Sequence, residues 1–242
     1  MKDSGTEILA VVPARAGSKG IHRKNLAVVR GRSLIARACL IAGACKRVDS
    51  VVISSDDEEM GREGLAHGAD VFVQRPAILA TDRTTAADAW CHAWVAAEKE
   101  LGRTFAVSVL LQPTSPTRTC ADVEAAIEAV LASGANSSVT LSPVPKHFSP
   151  EKLLAIDSLG HARPFIPGAI PNQRRQDVED AYWLNGHCYA ARREAFMRDR
   201  IVITDDAQAV VISRTVANID EPDDLLQAEE ILAEREVENW PL

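Results

Sequence analysis

Short apolar runs alternate with longer amphipathic segments along most of the chain. The runs predict buried strands at 8–12, 51–54, 71–73, 105–111, 138–141, 186–190 and 210–213. Between them, apolar residues at helical spacing predict helices at 33–44, 84–101, 119–134 and 222–236. Because strands that alternate with helices build βαβ units, we expect an α/β fold in which helices cover a mostly parallel sheet. In such sheets, ligands bind at the carboxyl ends of the strands.

The helix that follows Thr119 has the plainest signature in the sequence. Val123 and Ile127 belong to an apolar series at helical spacing. Thr119 and Asp122 have the separation of a capping box, and Gly134 suits the residue just after the helix. We therefore expect this helix to begin and end at these positions.

The alternation stops between residues 143 and 182, where six prolines fall and no periodicity is sustained. A disordered loop is one interpretation of this composition. The short apolar run at 153–156 instead favours an excursion with a hairpin of its own. We therefore predict a single domain over residues 1–242 with an excursion inserted at about 143–182.

The composition argues against several classes of protein. The 242 residues carry a formal net charge of −7, which disfavours nonspecific binding to nucleic acid. No apolar run approaches the ~18 residues of a membrane span, and acidic and polar residues interrupt the N-terminal apolar stretch, unlike in a signal peptide. The five cysteines are scattered, which favours reduced thiols over a disulfide framework or a zinc site. We expect a cytoplasmic protein without nucleic-acid or membrane partners.

The densest basic segment, at 13–25, follows the first predicted strand. Arg15, Lys19 and Lys24 are interleaved there with Gly17 and Gly20, so that cations and backbone N–H groups can approach one ligand. The order of residues matches neither a GxxxxGK[ST] phosphate loop nor a GxGxxG dinucleotide fingerprint. This chemistry favours a polyphosphate as the ligand, and a solvated basic loop is the alternative.

The segment PARAGSKGIHRKN at 13–25 closely resembles the N-terminal signature of the acylneuraminate cytidylyltransferases, the CMP-sialic acid synthetase family. Other segments resemble that family in the same order: SSDDEE (54–59), RPAILATD (75–82), LLQPTSPTR (110–118), NQRRQDVEDAYWLNG (172–186) and NIDEPDDL (218–225). The resemblance implies a three-layer α/β/α Rossmann-like nucleotidyltransferase fold of the nucleotide-diphospho-sugar transferase type. It also implies an enzyme that transfers CMP from CTP to the hydroxyl of an acidic 2-keto-3-deoxy sugar and releases pyrophosphate.

The resemblance also implies which residues bind the nucleotide. Lys24 would stabilise charge at the α-phosphate, Arg15 would contact the triphosphate, and both belong with Asp220 to the implied catalytic set. The full nucleotide-binding set is Pro13, Ala14, Arg15, Lys19, Lys24, Asn25 and Arg75. For Arg75 the alternative is a surface cation before a proline turn.

On the acceptor side, the resemblance implies contacts from Gln112, Lys152, Arg175, Trp183, Asn185 and Tyr189. Arg175 would pair with the sugar carboxylate, which a guanidinium binds through two parallel hydrogen bonds. Lys152 would complete the pocket of a neighbouring subunit, which implies a homodimer. Mg²⁺, with Mn²⁺ as a possible substitute, would bind Asp220 and Asn218. A capped strand end is the alternative for Gln112, and a helix N-cap is the alternative for Asp220.

The chain departs from the family pattern mainly on the acceptor side. Asn218 stands where the family has an aspartate, Trp183 where it has an arginine, and His187-Cys188-Tyr189 where it has A-I-Y. These changes suggest an acceptor other than N-acetylneuraminate. Candidates are a deaminated nonulosonate, a legionaminate or pseudaminate relative, a phosphonate or 3-deoxyoctulosonate. The alternative from another class is a catalytically weak CTP-binding protein.

Overall fold

A computed structural model describes residues 5–17 and 20–236, without the side chains of Arg175, Arg235 and Glu236. The strands are β1 (Ile8–Pro13), β2 (Val28–Val29), β3 (Arg32–Ser33), β4 (Ser50–Ser55), β5 (Val71–Gln74), β6 (Val107–Leu110), β7 (Ser137–Pro143), β8 (Leu154–Ile156), β9 (Ala162–Pro164), β10 (Tyr182–Arg192) and β11 (Gln208–Val211). The α-helices are α1 (Leu34–Ala44), α2 (Glu58–Ala66), α3 (Ala86–Leu101), α4 (Cys120–Ser133), α5 (Arg193–Asp199) and α6 (Pro222–Glu236).

Seven strands of the described chain form one central sheet in the order β11-β7-β10-β6-β1-β4-β5. β1 lies between β4 and β6 and runs parallel to both, and β4 is also parallel to β5. β10 pairs with β6 in the antiparallel direction. The predicted mostly parallel sheet is therefore confirmed, and the carboxyl ends of β1, β4, β5 and β6 lie along one edge.

The two faces of β1 enter different hydrophobic clusters, as expected for a strand whose side chains alternate. Ile8, Ala10 and Val12 pack with α1 and α4, whereas Leu9 and Val11 pack with α3 and α5. Helices therefore cover both faces of the sheet, which gives the three layers that the family resemblance implies. A third cluster packs α6 against β2 and the start of α1.

Local capping signals fix the predicted helices. Thr119 and Asp122 form the predicted capping box, and Gly134 ends α4 in the left-handed conformation with φ of 76°. Helix α2 was not predicted, because its sequence has few apolar residues and two glycines. Those glycines let the helix lie close to the sheet: a Cβ at Gly61 would meet Phe72, and one at Gly64 would meet Ile53.

The chain divides into two compact units. The main unit consists of Met1–Thr140, Asn185–Val210 and Thr215–Leu242, and the second unit consists of Leu141–Leu184 and Val211–Arg214. Within the second unit, β8 and β9 form the hairpin that the apolar run at 153–156 suggests.

Across the described residues, no helix combines the length and the apolar character that a membrane span requires.

Candidate active site

A cavity of about 570 Å³ lies at the carboxyl ends of β1 and β6 in the main unit. This is the edge of a parallel sheet at which ligands bind. The cavity brings together eight of the predicted site residues: Pro13, Arg15, Lys24, Asn25, Arg75, Gln112, Asn218 and Asp220. These residues come from both ends of the sequence, so the fold itself assembles the site.

Lys24 is held in a fixed position at this cavity. Its Nζ donates to the carbonyl oxygen of Ile219 at 2.7 Å and lies 3.0 Å from Oδ1 of Asp220. Only 16% of the Lys24 side chain is exposed, whereas 70% of the Asp220 side chain is exposed. The ammonium group therefore sits on the wall of the cavity beside a carboxylate that solvent reaches.

Arg15 and Asn25 hold the other side of the basic segment. Nη1 of Arg15 lies 2.6 Å from Oδ1 of Asp82, and Nδ2 of Asn25 donates to the carbonyl oxygen of Arg15 at 2.9 Å. Asn25 is buried, with 6% exposure, so its amide serves the backbone of the loop. The structure thus gives Asn25 a positioning role within the loop, in addition to its place on the cavity wall.

The acidic segment after β4 fixes the path of the basic segment. Asp56 accepts a hydrogen bond from the backbone N–H of Ala16 at 2.9 Å. Arg23 pairs with Asp57 at 3.1 Å and with Glu59 at 2.9 Å. These contacts partly neutralise the loop and leave Arg15 and Lys24 directed at the cavity.

Gly20 explains why the basic segment needs glycine. A Cβ at this position would overlap the carbonyl oxygen of Asp220. The segment that carries Lys24 can therefore lie against the backbone of Asp220 only if residue 20 has no side chain.

Arg75 is a buried cation, with 5% exposure, which excludes the alternative of a surface cation. Its Nη2 donates to the carbonyl oxygen of Ser54 at 3.0 Å, and its Nε contacts Oγ of Ser54 at 3.3 Å. Burial lowers the pKa of the guanidinium, the charge of Asp56 opposes that shift, and Arg15 adds to it. Arg75 remains charged, because a guanidinium keeps its proton across the ordinary pH range.

Gln112 follows β6 and lines the cavity. The backbone here is held by Arg118, which is buried and donates to the carbonyl oxygens of Gln112, at 2.5 Å, and of His187. Burial lowers the pKa of Arg118 to about 10. Arg118 therefore fixes the backbone at the end of β6, which leaves the side chain of Gln112 available to a ligand.

Asn218 and Asp220 offer oxygen ligands that fit a hard cation such as Mg²⁺. Oδ1 of Asn218 is buried and has no hydrogen-bond partner in the described part of the chain. Asp220 contributes a solvent-exposed carboxylate two residues later, and Asp224 accepts hydrogen bonds from the N–H groups of Asp220 and Glu221. Clusters of three or more His, Cys, Asp or Glu with metal-binding geometry are absent from the described residues. A cation here would therefore complete its coordination with ligand oxygens or water.

Several predicted site residues do not line this cavity. Ala14 is buried in the core and donates its N–H to the carbonyl oxygen of Ser54 at 2.8 Å. Asn185 is also buried, and its Oδ1 accepts from Oγ1 of Thr140 and from the N–H of His187. Tyr189 packs into the cluster formed with α3 and α5, and burial raises the pKa of its hydroxyl. The side chains of Ala14, Asn185 and Tyr189 therefore serve the fold in this structure.

The remaining predicted residues lie elsewhere. Lys152 and Trp183 belong to the second unit, where Lys152 is half-buried and Trp183 is 38% exposed. Lys19 and the side chain of Arg175 lie outside the described residues. Their predicted roles stay predictions.

Sequence reasoning missed part of the cavity wall. Asp82, Thr84 and Thr85 line the cavity beside Arg15, and Thr85 also caps the start of α3. The signal was present in the sequence, since Asp82 ends the RPAILATD segment and two threonines precede the apolar stripe of α3. Capping accounts for Thr85 alone, so only the structure shows that Asp82 and Thr84 reach the same cavity.

A family model described as cytidylyltransferase matches residues 9–236. The chain belongs to the cytidylyltransferase family. Within this family, N-acylneuraminate cytidylyltransferase of Streptococcus agalactiae serotype V is 28% identical over 222 residues, which cover 90% of this chain and 51% of that protein. CMP-N,N'-diacetyllegionaminic acid synthase of Legionella pneumophila is 28% identical over 219 residues, which cover 88% of this chain and 90% of that protein. The chain thus spans about half the length of the streptococcal relative.

A solved cytidylyltransferase structure has the same fold. CMP:2-keto-3-deoxy-manno-octonic acid synthetase complexed with CTP superposes with a TM-score of 0.68 at 17% sequence identity. The match covers 95% of this chain and 100% of that chain. The predicted nucleotidyltransferase fold is therefore confirmed.

Proposed function

We propose that this protein transfers CMP from CTP to the hydroxyl of an acidic 2-keto-3-deoxy sugar, either a sialic acid or a related nonulosonate. The observation that carries the proposal is the cavity in which Arg15, Lys24 and Arg75 face Asn218 and Asp220. Three cations beside a candidate cation site suit a triphosphate and its metal ion. The named activities of the streptococcal and Legionella relatives support an acidic sugar as the acceptor.

Arg15 and Lys24 each form an ion pair with a carboxylate, and the phosphate groups of a triphosphate can replace these carboxylates. Arg15 pairs with Asp82, and Lys24 pairs with Asp220, over 2.6 Å and 3.0 Å. When CTP binds, phosphate oxygens take over these cations. Without its pairing to Lys24, Asp220 would be available to hold a divalent cation, so nucleotide binding and cation binding would be coupled.

The reaction is an in-line displacement at the α-phosphorus. The acceptor oxygen forms a bond to this phosphorus while the bond to the bridging oxygen of pyrophosphate breaks, and the proton of the hydroxyl passes to solvent. Such transfers depend on positioning and on stabilising charge at the phosphoryl oxygens. Lys24 supplies that charge at the α-phosphate, and Arg15 supplies it along the triphosphate.

Asp220 and Asn218 are the residues that would hold Mg²⁺, or Mn²⁺ in its place. A divalent cation supplies neutralising charge to the leaving pyrophosphate when it is bound. Asp220 contributes the single negative charge, and Asn218 contributes a neutral oxygen that is already buried without a partner. Weak binding in the absence of CTP is expected from this ligand set.

By analogy with the family, Gln112 belongs to the acceptor side of the proposed site. We propose that Lys152, Arg175 and Trp183 contribute to this side and that two copies of the chain form a homodimer. Exposed apolar side chains in the second unit support a second copy as the partner: Leu154, Ile156, Leu159, Phe165 and Ile170 are between 53% and 77% exposed. Scattered free cysteines are consistent with a cytoplasmic enzyme.

Pyrophosphate release tests the function directly. The protein is incubated with CTP and Mg²⁺ and with one acid at a time: N-acetylneuraminate, a deaminated nonulosonate, legionaminate, pseudaminate, 3-deoxyoctulosonate or a phosphonate. We expect release with a nonulosonate, and preference for legionaminate or another relative over N-acetylneuraminate. Preference for N-acetylneuraminate would contradict the acceptor assignment alone. CTP binding without pyrophosphate release from any acid would instead favour the CTP-binding protein.

A further inference from the structure

A buried histidine outside the cavity connects two parts of the main unit. His187 is fully buried, and its Nδ1 lies 3.1 Å from Oδ2 of Asp122, at the start of α4. Its Nε2 lies 3.2 Å from Oγ1 of Thr117. His187 is not among the described residues that line the cavity, so it does not touch the reacting groups.

The hydrogen bonds around Thr117 assign a direction to this network. The carboxylate of Asp122 only accepts, so the neighbouring Nδ1 of His187 bears a proton and Nε2 is the acceptor. The hydroxyl of Thr117, which accepts the N–H of Ala217 at 3.0 Å, therefore donates to Nε2. His187 then carries its proton on Nδ1 and donates it to Asp122. Oδ2 of Asp122 also accepts the N–H of Thr119 at 2.8 Å. The tautomer is assigned from this accounting, and each bond strengthens the next.

The network ends at the segment that carries the candidate metal ligands. Residues 215–219 belong to no helix or strand, so few backbone hydrogen bonds define their path. On one side of Asn218, the N–H of Ile219 is held by the backbone oxygen of Thr114 at 2.7 Å. On the other side, the N–H of Ala217 is held by the hydroxyl of Thr117.

These two anchors of Asn218 differ in rigidity. The carbonyl group of Thr114 is part of the backbone, whereas the hydroxyl of Thr117 can rotate unless a partner fixes its proton. His187 is such a partner, and the capping box at Thr119 and Asp122 holds His187 in turn.

We propose that His187 is a positioning residue that fixes Asn218 and Asp220 through Thr117 and Ala217. The inference depends on the proposed function only in that Asn218 and Asp220 bind a divalent cation together with CTP. His187 itself neither binds the cation nor contacts CTP. Its role is to hold the backbone beside Asn218, whose buried Oδ1 would be one of the ligands of the cation.

Binding of Mn²⁺ tests this role without relying on turnover. Water-proton relaxation is titrated with Mn²⁺ in the presence of α,β-methylene-CTP for the full-length wild-type protein and its variants. We expect His187→Leu and Thr117→Val each to weaken Mn²⁺ binding about tenfold, as is usual for partners that orient metal ligands. The double variant is expected to bind Mn²⁺ no more weakly than His187→Leu, because both substitutions cut one chain of contacts.

Two further variants separate positioning from a general loss of structure. His187→Gln, whose amide can accept from Thr117 and donate to Asp122, should restore most of the Mn²⁺ affinity. Ser108→Ala is the matched control: Ser108 is equally buried and accepts the indole N–H of Trp90 at 2.9 Å, but it lies outside the chain of contacts to Ala217. It should lower the melting temperature by as much as Thr117→Val does, with no change in Mn²⁺ affinity.

The outcomes are distinguishable. Equal Mn²⁺ affinity in wild type, Thr117→Val and His187→Leu would overturn the role of His187 and leave the proposed function intact. Additive losses in the double variant would also overturn it. Absence of Mn²⁺ binding in the wild type would overturn both proposals. If His187→Leu does not fold, Thr117→Val and His187→Gln decide the question.

Discussion

The cavity of the main unit and the surface of the second unit differ in how completely their side chains are partnered. Around the cavity, Arg15, Lys24 and Arg75 each have a defined oxygen partner. In the second unit, large apolar side chains such as Ile156 and Leu159 are each 77% exposed. The contrast is the reason for two of our proposals, namely that one chain forms the nucleotide site and that a second copy covers the exposed apolar side chains of the second unit.

The strongest test of the nucleotide side is Lys24→Ala. We expect turnover to fall at least about a hundredfold, because the charge beside the α-phosphate is removed. The lost ion pair should cost only about 1 kcal/mol of unfolding free energy. Pyrophosphate release and thermal melting measure the two effects.

Lys99→Ala is the control for this experiment, since Lys99 is an exposed lysine on α3. It should leave both turnover and melting unchanged. If Lys24→Ala keeps wild-type turnover, the assignment of Lys24 to the α-phosphate is wrong.

The second unit is tested by placing a charge on its exposed apolar surface. Ile156→Asp should shift the protein from dimer to monomer, because burying a carboxylate in an apolar interface is unfavourable by several kcal/mol. Light scattering after size-exclusion chromatography measures the mass. Leu226→Asp is the control, since Leu226 is 65% exposed on α6 of the main unit. A dimer that survives Ile156→Asp would place the interface elsewhere.

A smaller effect is expected from placing the family's aspartate at the candidate cation site. Asn218→Asp adds a charged ligand beside Asp220, so the Mg²⁺ concentration for half-maximal turnover should fall about three- to tenfold. Gln227→Glu adds the same charge at an exposed position on α6 and should change nothing. An unchanged Mg²⁺ requirement in Asn218→Asp would argue that residue 218 does not face the metal.

The smallest effect concerns the free energy of unfolding and the ion pair between Glu98 and Arg193, which is not part of the cavity or of the second unit. Burial raises the pKa of Glu98, but hydrogen bonds from Arg193, at 2.7 and 2.8 Å, and from the N–H of Phe105 outweigh it, so the pKa lies below its ordinary 4.5. A depressed folded-state pKa means that Glu98 stabilises the fold above pH 4.5 and loses this contribution as the pH falls through the folded-state value.

Glu98→Gln should therefore lower the unfolding free energy at pH 7 by about 1–2 kcal/mol. Below pH 4.5, the unfolding free energy of the variant should fall less steeply with decreasing pH than that of the wild type. Turnover should be unaffected. Urea unfolding at several pH values measures this. Identical pH dependence in variant and wild type would show that Glu98 titrates alike in the folded and unfolded states.

Local patterns predicted most of the fold. The apolar run of β1 and the capping box of Thr119 and Asp122 need only neighbouring residues to be read correctly. Helix α2 was missed because its apolar content is low. Its packing depends on Gly61 and Gly64, whose partners lie on strands β5 and β4.

The composition of segment 13–25 alone indicated a polyphosphate ligand, but the individual residues of the candidate site were singled out only through resemblance to a family. Segments 13–25 and 218–225 contain candidate site residues. A sequence segment does not, however, separate side chains that face a ligand from side chains that hold the backbone. Asn185 illustrates the limit, since it belongs to a family segment yet bonds to Thr140 within the core. The contact between His187 and Asp122 spans 65 positions and follows no periodic pattern.

The contact between Lys24 and Asp220 also has a consequence for synthesis. The two residues are 196 positions apart, so the growing chain can pair β1 with β4 long before it can close the nucleotide site. Until residue 220 leaves the ribosome, Lys24 lacks its carboxylate partner and Gly20 lacks the backbone of Asp220 to lie against. The cavity is therefore completed late in folding, and a chain that stops before residue 218 would be folded in part but would lack both proposed cation ligands.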